Sequence, residues 1–204
     1  MMKNLFARCI QFVVVAFLAI NMSSCSYNSF VGQEEKVNEA WANVQTQYQR
    51  RLDLIDNLVN TVKGYAKHEK ETFESITRAR ANVSSAINVN IDDLDEEKVA
   101  EIQKKLNEAA SQMNSGLSRL IAVSENYPDL KASDQFKELQ AQLEGTENRI
   151  AEARKKYNGA VKEYNTAVRE FPGLITAKIF GFKTKSMFEA EAAAAHAPRV
   201  DFND

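Results

Sequence analysis

Between Ser133 and Phe171, large side chains return every seven residues, at Phe136, Leu143, Ile150, Tyr157, Tyr164 and Phe171. Leu139, Thr146, Ala153, Ala160 and Ala167 fill the alternate positions, so the spacing is 3-4 throughout and only Thr146 is polar. Residues at that spacing share one face of a helix, whereas a strand would scatter them over both of its faces. A strict seven-residue repeat on a helix of 3.6 residues per turn also demands partner helices and a left-handed supercoil. One row is bulky and the other mostly alanine, which lets a neighbour approach closely on the alanine side. Ser133 predicts the N-cap with Asp134 in the first turn, and Pro172-Gly173 predicts the stop.

Three further stripes supply the partners. Val99, Ile102, Leu106, Ala109, Met113, Leu117, Leu120 and Ser124 predict a helix over about 94–126, opened by Asp93 with Glu96 as a capping-box variant and ended by Pro128. Upstream lie Val37, Trp41, Val44, Tyr48, Ile55, Leu58, Val62 and Tyr65, and then Phe73, Ile76, Val83 and Ile87. One helix over 34–88 would be ~82 Å long against partners of ~50–57 Å, leaving an apolar end with nothing to pack on. A break at Gly64–His68 removes the mismatch. Only 7 glycines and 3 prolines punctuate 204 residues, which suits long helices. The expected fold is all-α: a long up-and-down antiparallel four-helix bundle with a left-handed supercoil, its helices at about 34–63, 67–88, 94–126 and 133–171. Residues 88–93 form a loop. Glu101 with Lys105, and Glu152 with Lys156, are i,i+4 pairs on solvated faces. Residues 183–204 read as a partly disordered C-terminal tail.

The N-terminus poses a different question. Lys3 and Arg8 precede an apolar run from Ile10 to Ile20 broken only by Gln11. Eleven helical residues reach ~17 Å, against a hydrocarbon core of ~30 Å. The basic start, short apolar middle and Ser23-Ser24 fit a secretory signal over 1–24. "MSSC" resembles a bacterial lipobox, with Met22 where leucine is usual, and makes Cys25 the expected lipidation site. Multiple acyl chains there would give stable anchoring, at ~0.8 kcal/mol per buried CH₂. A plain signal peptide or a retained membrane helix are the alternatives. Residues 25–33 then serve as a tether and 34–182 as the bundle. Cleavage would remove Cys9, leaving no partner for a disulfide. Ser26, being non-acidic, favours the outer membrane by analogy with lipoprotein sorting.

Few residues suggest chemistry. A net charge of −2, with no basic stripe interleaved with aromatics, gives no reason to expect a nucleic-acid partner. "HEKET" places Thr72 where a zinc-protease motif needs its second histidine, and His196 sits in the tail. There is no phosphate loop and no nucleophile elbow. No catalytic residue, cofactor or metal is expected. Arg51 occupies a stripe position between Tyr48 and Ile55. It could bind an anionic ligand, pair across the bundle with a carboxylate such as Glu147, or snorkel outward. Asp53 and Asp56 read as partners of neighbouring basics, and Trp41 as core. "KIFGFKTKSMF" (178–188) could meet a membrane surface or a partner groove, or cap one end of the bundle.

"RRLDLIDNLVNTVKGYAKHE" (50–69), "ENYPDLKASDQFKELQAQLEGTENRIAEARKKYNGAVKEYN" (125–165) and "FPGLITAKIFGF" (171–182) occur in that order and together resemble the LemA family, over about residues 28–190. Relatives commonly have proline after "DLI"; here Asp56 leaves the first helix free to run straight. Many relatives retain an N-terminal membrane helix, whereas this chain reads as lipidated. The resemblance implies a helical bundle held at a bacterial membrane, and it brings no catalytic residues because the family has no established reaction. Association of relatives with membrane metallopeptidases and small envelope proteins implies an accessory role. The expectation is a non-enzymatic envelope lipoprotein that binds an envelope protein, with Tyr127, Asp129 and Lys131 among its interaction residues. The alternatives are a carrier of a small apolar or lipid ligand, or an accessory subunit of a membrane peptidase system.

Overall fold

The apolar seams are carried by helices, and among the described residues the protein is all-α. The computed structural model describes residues 2–66, 69–89 and 96–188, with side chains from residue 26 onward except those of 96, 97 and 100. Among these residues six helices follow one another: α1 (Met2–Tyr65), α2 (Lys70–Ile87), α3 (Glu96–Ser124), α4 (Pro128–Ala132), α5 (Asp134–Arg169) and α6 (Gly173–Phe180). The expected break after Gly64 is present, with Ala66 N–H closing the last turn on the Val62 carbonyl at 2.8 Å. Ser133 caps α5, its Oγ accepting from the Phe136 N–H at 3.4 Å. His68, Asp93, most of the 88–93 loop, His196 and residues 189–204 of the tail lie outside the described residues.

α1 and α5 run antiparallel: Trp41 lies against Tyr157, Tyr48 against Arg154, and Arg51 against Glu147. α2 and α3 form the second pair and touch closely at Gly116, where a Cβ would stand 2.7 Å from Ile76 Cγ1. Both pairs feed one continuous core that includes Val44, Ile55, Ile76, Val83, Leu106, Leu120 and Ile150. A buried leucine or isoleucine contributes about 1.5–3 kcal/mol, so this shared interior is what holds the pairs together.

The pairs differ in reach. Gln45 Nε2 donates to the Ile87 carbonyl at 2.5 Å, which places the end of α2 well short of the N-terminal part of α1. The seam of α1 continues on the N-terminal side through Trp41, Val37 and Phe30. Chain from beyond α5 covers it. Phe182 packs edge-on to Phe30 and Tyr27 at 5.2 and 5.5 Å, and Phe188 stacks on Trp41 at 5.9 Å. α6 sits close at Gly173, where a Cβ would lie 2.5 Å from the Ala167 carbonyl oxygen and 2.9 Å from Phe30 Cζ. The apolar excess of the first helix is therefore met by a strap, residues 181–188, rather than by helix shortening alone.

Several expectations are corrected. Residues 25–33 are not a tether but part of α1, because Phe30 stands one heptad before Val37 and is only 2% exposed. Residues 183–188 of the expected tail are held against α5, with Phe188 buried. α4 and α6 are helices too short to show a stripe. On α5 the buried set is Phe136, Leu139, Leu143, Thr146, Ile150, Ala153 and Tyr157, then Val161, Tyr164 and Val168. A second step of four follows Tyr157, where the heptad expects three. The buried face of α5 therefore shifts by one residue after Tyr157, on the part of the helix that the strap covers. Ala160 and Ala167 are consequently only partly buried, and Phe171, beyond the end of α5, is 80% exposed.

Candidate functional site

Two polar clusters interrupt the core where α1, α3 and α5 meet. Arg51, 5% exposed, forms an ion pair with Glu147 and donates to Asn114 Oδ1 at 2.8 Å, while its Nε has no partner. One turn along α1, Arg154 donates to the Tyr48 hydroxyl and, at 3.5 Å, to Asn107 Oδ1. Its guanidinium also lies 5.2 Å from the centroid of the Phe188 ring. These clusters join three helices by directional bonds, which fixes register; the half-exposed Glu147 shares its charge with water. Asp56 pairs with Arg80 at 2.8 Å, and Asp53 accepts from Gln49. Among the described residues no group of His, Cys, Asp or Glu is arranged to hold a metal ion.

The buried phenols resist ionisation. Burial pushes Tyr157 up to about 12, and burial with the nearby Glu34 carboxylate pushes Tyr164 up to about 12. Burial also raises Tyr48, against the opposing pull of Arg154. A neutral acid favoured by the fold contributes stability that is complete below its unfolded pKa and is lost as pH rises through its folded one. Stability is therefore expected to fall from pH about 10, with tyrosinate absorbance from Tyr157 and Tyr164 delayed towards about 12. A spectrophotometric titration checks this: Tyr157→Phe and Tyr164→Phe should each remove part of the late step.

The residues expected to interact lie at the end of the body where α1 finishes and α5 begins. Leu130, fully buried, pins α4 to the core; Tyr127 is partly buried at its N-terminus, Asp129 is exposed, and exposed Lys131 pairs with Glu125. Buried Arg51 and half-exposed Glu147 pair with each other between α1 and α5, away from this group. At the same end a cleft of 710 Å³ opens between α1 and α2, lined by Lys63, Lys70, Phe73, Glu74, Thr77 and Arg78. Lys63 Nζ stands 5.3 Å from the Phe73 ring centroid, and Lys70 is 3.7 Å from Glu74. Three cations around one aromatic side suit an acidic segment with an apolar anchor. The side chain of Cys25 lies outside the described residues.

At the opposite end the strap is gripped by two asparagines that the sequence reading passed over. Asn158 donates to the Phe188 carbonyl and accepts from its N–H, both at 2.8 Å. Asn165 does the same for Lys185, at 2.7 and 2.8 Å. Each asparagine follows a buried tyrosine and the two are one heptad apart, so "YN…YN" (157–158 and 164–165) was the available signal. Lys185 also pairs with Glu34 at 2.9 Å, tying the strap to α1.

A model described as the LemA family matches residues 40–202. The magnetosome protein MamQ 2 of Paramagnetospirillum magneticum is 30% identical over 194 residues, covering 88% of this chain and 70% of that protein. MamQ of Magnetospirillum gryphiswaldense is 29% identical over 82% of this chain and 66% of its own length. Protein LemA of Metamycoplasma hominis is 26% identical over 64% of this chain and 54% of its own.

Proposed function

We propose, from the premise that this chain belongs to the LemA family, that it is a non-enzymatic, membrane-anchored module of the bacterial envelope that docks another protein at its far end. In this reading α1, α2, α3 and α5 work as an antiparallel bundle with left-handed supercoiling over the part that carries the strict heptad. Acyl chains on Cys25 hold the N-terminal side at the membrane, the outer membrane by the Ser26 argument. Likeness to magnetosome proteins and to a protein LemA supports membrane association. Among the described residues no helix is long and apolar enough to cross a membrane; the apolar run at 10–20 lies before the described side chains.

The observation that carries the docking reading is the cationic cleft around Phe73, at the end of α1 furthest from that run. Its occupant would be an acidic protein segment bearing an apolar anchor. A photo-crosslinking residue in place of Thr77, installed in living cells, should give one discrete protein adduct. Charge reversal at Lys63, Lys70 and Arg78 should abolish it. An adduct pattern no different from that of a probe at exposed Glu144, or one indifferent to charge reversal, would remove the reading.

A further inference from the structure

α6 is amphipathic the wrong way round. Its protein-facing positions are Gly173, Thr176 and Ala177, small or polar, while Leu174, Ile175 and Ile179 point outward. Ile175 is 51% and Ile179 66% exposed, and Phe171 and Phe180 flank them at 80% and 54%. A short surface helix in water ordinarily buries its large apolar side chains and shows its small ones. Contiguous outward apolar groups of this kind mark a surface that meets something apolar.

Three features of the molecule identify that something. The first is place. Phe180 packs edge-on against Tyr27 at 4.9 Å, and Tyr27 belongs to the same unbroken helix as the apolar run. From Ile20 to Tyr27 is ~10 Å along a helix, so the bilayer boundary lies beside α6 whether the chain is held by Cys25 or by the run itself. The second is charge. Between Phe171 and Phe188 there are three lysines and no acidic residue, in a chain whose net charge is −2. Lys178 and Lys183 are exposed beside the apolar groups, able to reach anionic headgroups while the isoleucines sit deeper. The third is composition: Tyr27, half out of the protein, and the flanking phenylalanines are side chains suited to a headgroup boundary.

We infer that α6, with Phe171, Phe180 and Tyr27, is a foot that lies in the headgroup and upper acyl region of the bilayer and sets the tilt of the helical body. The inference rests on the reading that the N-terminal side of α1 is held at a membrane. The foot replaces a one-point attachment by two contacts, and the loss of rotational freedom orients the distal cleft away from the surface.

The test uses the full chain reconstituted into vesicles of phosphatidylcholine and phosphatidylglycerol, with the phosphatidylcholine brominated or not. Ile179→Trp places a reporter on the foot and Thr77→Trp places one at the distal cleft; emission of the wild type, from Trp41 alone, is subtracted. Brominated lipid should quench the position-179 signal roughly twofold, as burial at the acyl boundary requires, and leave position 77 unchanged. Co-sedimentation with the vesicles but no quenching at 179 overturns the foot and leaves the anchor standing. Failure to co-sediment overturns both. A blue-shifted but unquenched signal at 179 assigns the face to another protein or a second copy of this chain, and also overturns the foot.

Discussion

Replacing Phe188 with alanine is expected to free the strap and cost about 3 kcal/mol, the lower part of the range for removing a buried phenylalanine. The ring stacks on Trp41, meets Tyr157 edge-on at 5.2 Å, and lies beneath the Arg154 guanidinium. Truncation leaves a hole that α2 cannot fill, because Ile87, where α2 ends, lies level with Gln45. The loss cannot exceed what docking the strap contributes, since beyond that point the segment simply leaves. Hydrogen exchange distinguishes the outcomes. The amides of Lys185 and Phe188, now bonded to Asn165 and Asn158, should exchange much faster, while those of α2 and α3 keep their protection. Faster exchange spread evenly over all helices would mean that the strap and the bundle unfold as one unit.

The second large effect is asymmetric. Glu147→Ala is expected to cost about 3 kcal/mol, whereas Arg51→Met should cost under about 1 kcal/mol or stabilise. Removing Glu147 strands a guanidinium whose side chain is 6% exposed and whose Nε already lacks a partner. Removing Arg51 returns a half-exposed carboxylate and the exposed Asn114 to water and puts a flexible apolar chain in their place. Equilibrium denaturation of both variants checks the order. Equal losses would mean that the ion pair contributes net stability instead of register.

What could be read in advance, and what could not, follows from how each element is held. Phe136 to Tyr157 keep one phase over three heptads, and Ser133 and Pro172 bracket them, so α5 was legible to within a few residues. The partner stripes were legible for the same reason. The strap was not, because an extended segment held by Asn158 and Asn165 needs no apolar period; only Phe182 and Phe188 enter the interior. The register change at Val161 was hidden by alanines, which satisfy a heptad on paper without demanding burial. Arg51 and Glu147 were visible as a charge out of place and a carboxylate in reach. The cationic cleft was not, since Lys63 and Arg78 come together only when α1 and α2 pack against each other.

The strap also imposes an order of assembly. Trp41 and Phe30 emerge early in synthesis, but part of their cover, Phe188 and Phe182, emerges only after every long helix has been made. Until then this stretch of the first helix offers a bare greasy edge, and the pairing that hides it is among the most distant in sequence that the fold contains. A nascent chain of this kind would need shelter at its leading end for nearly the whole time it takes to be translated.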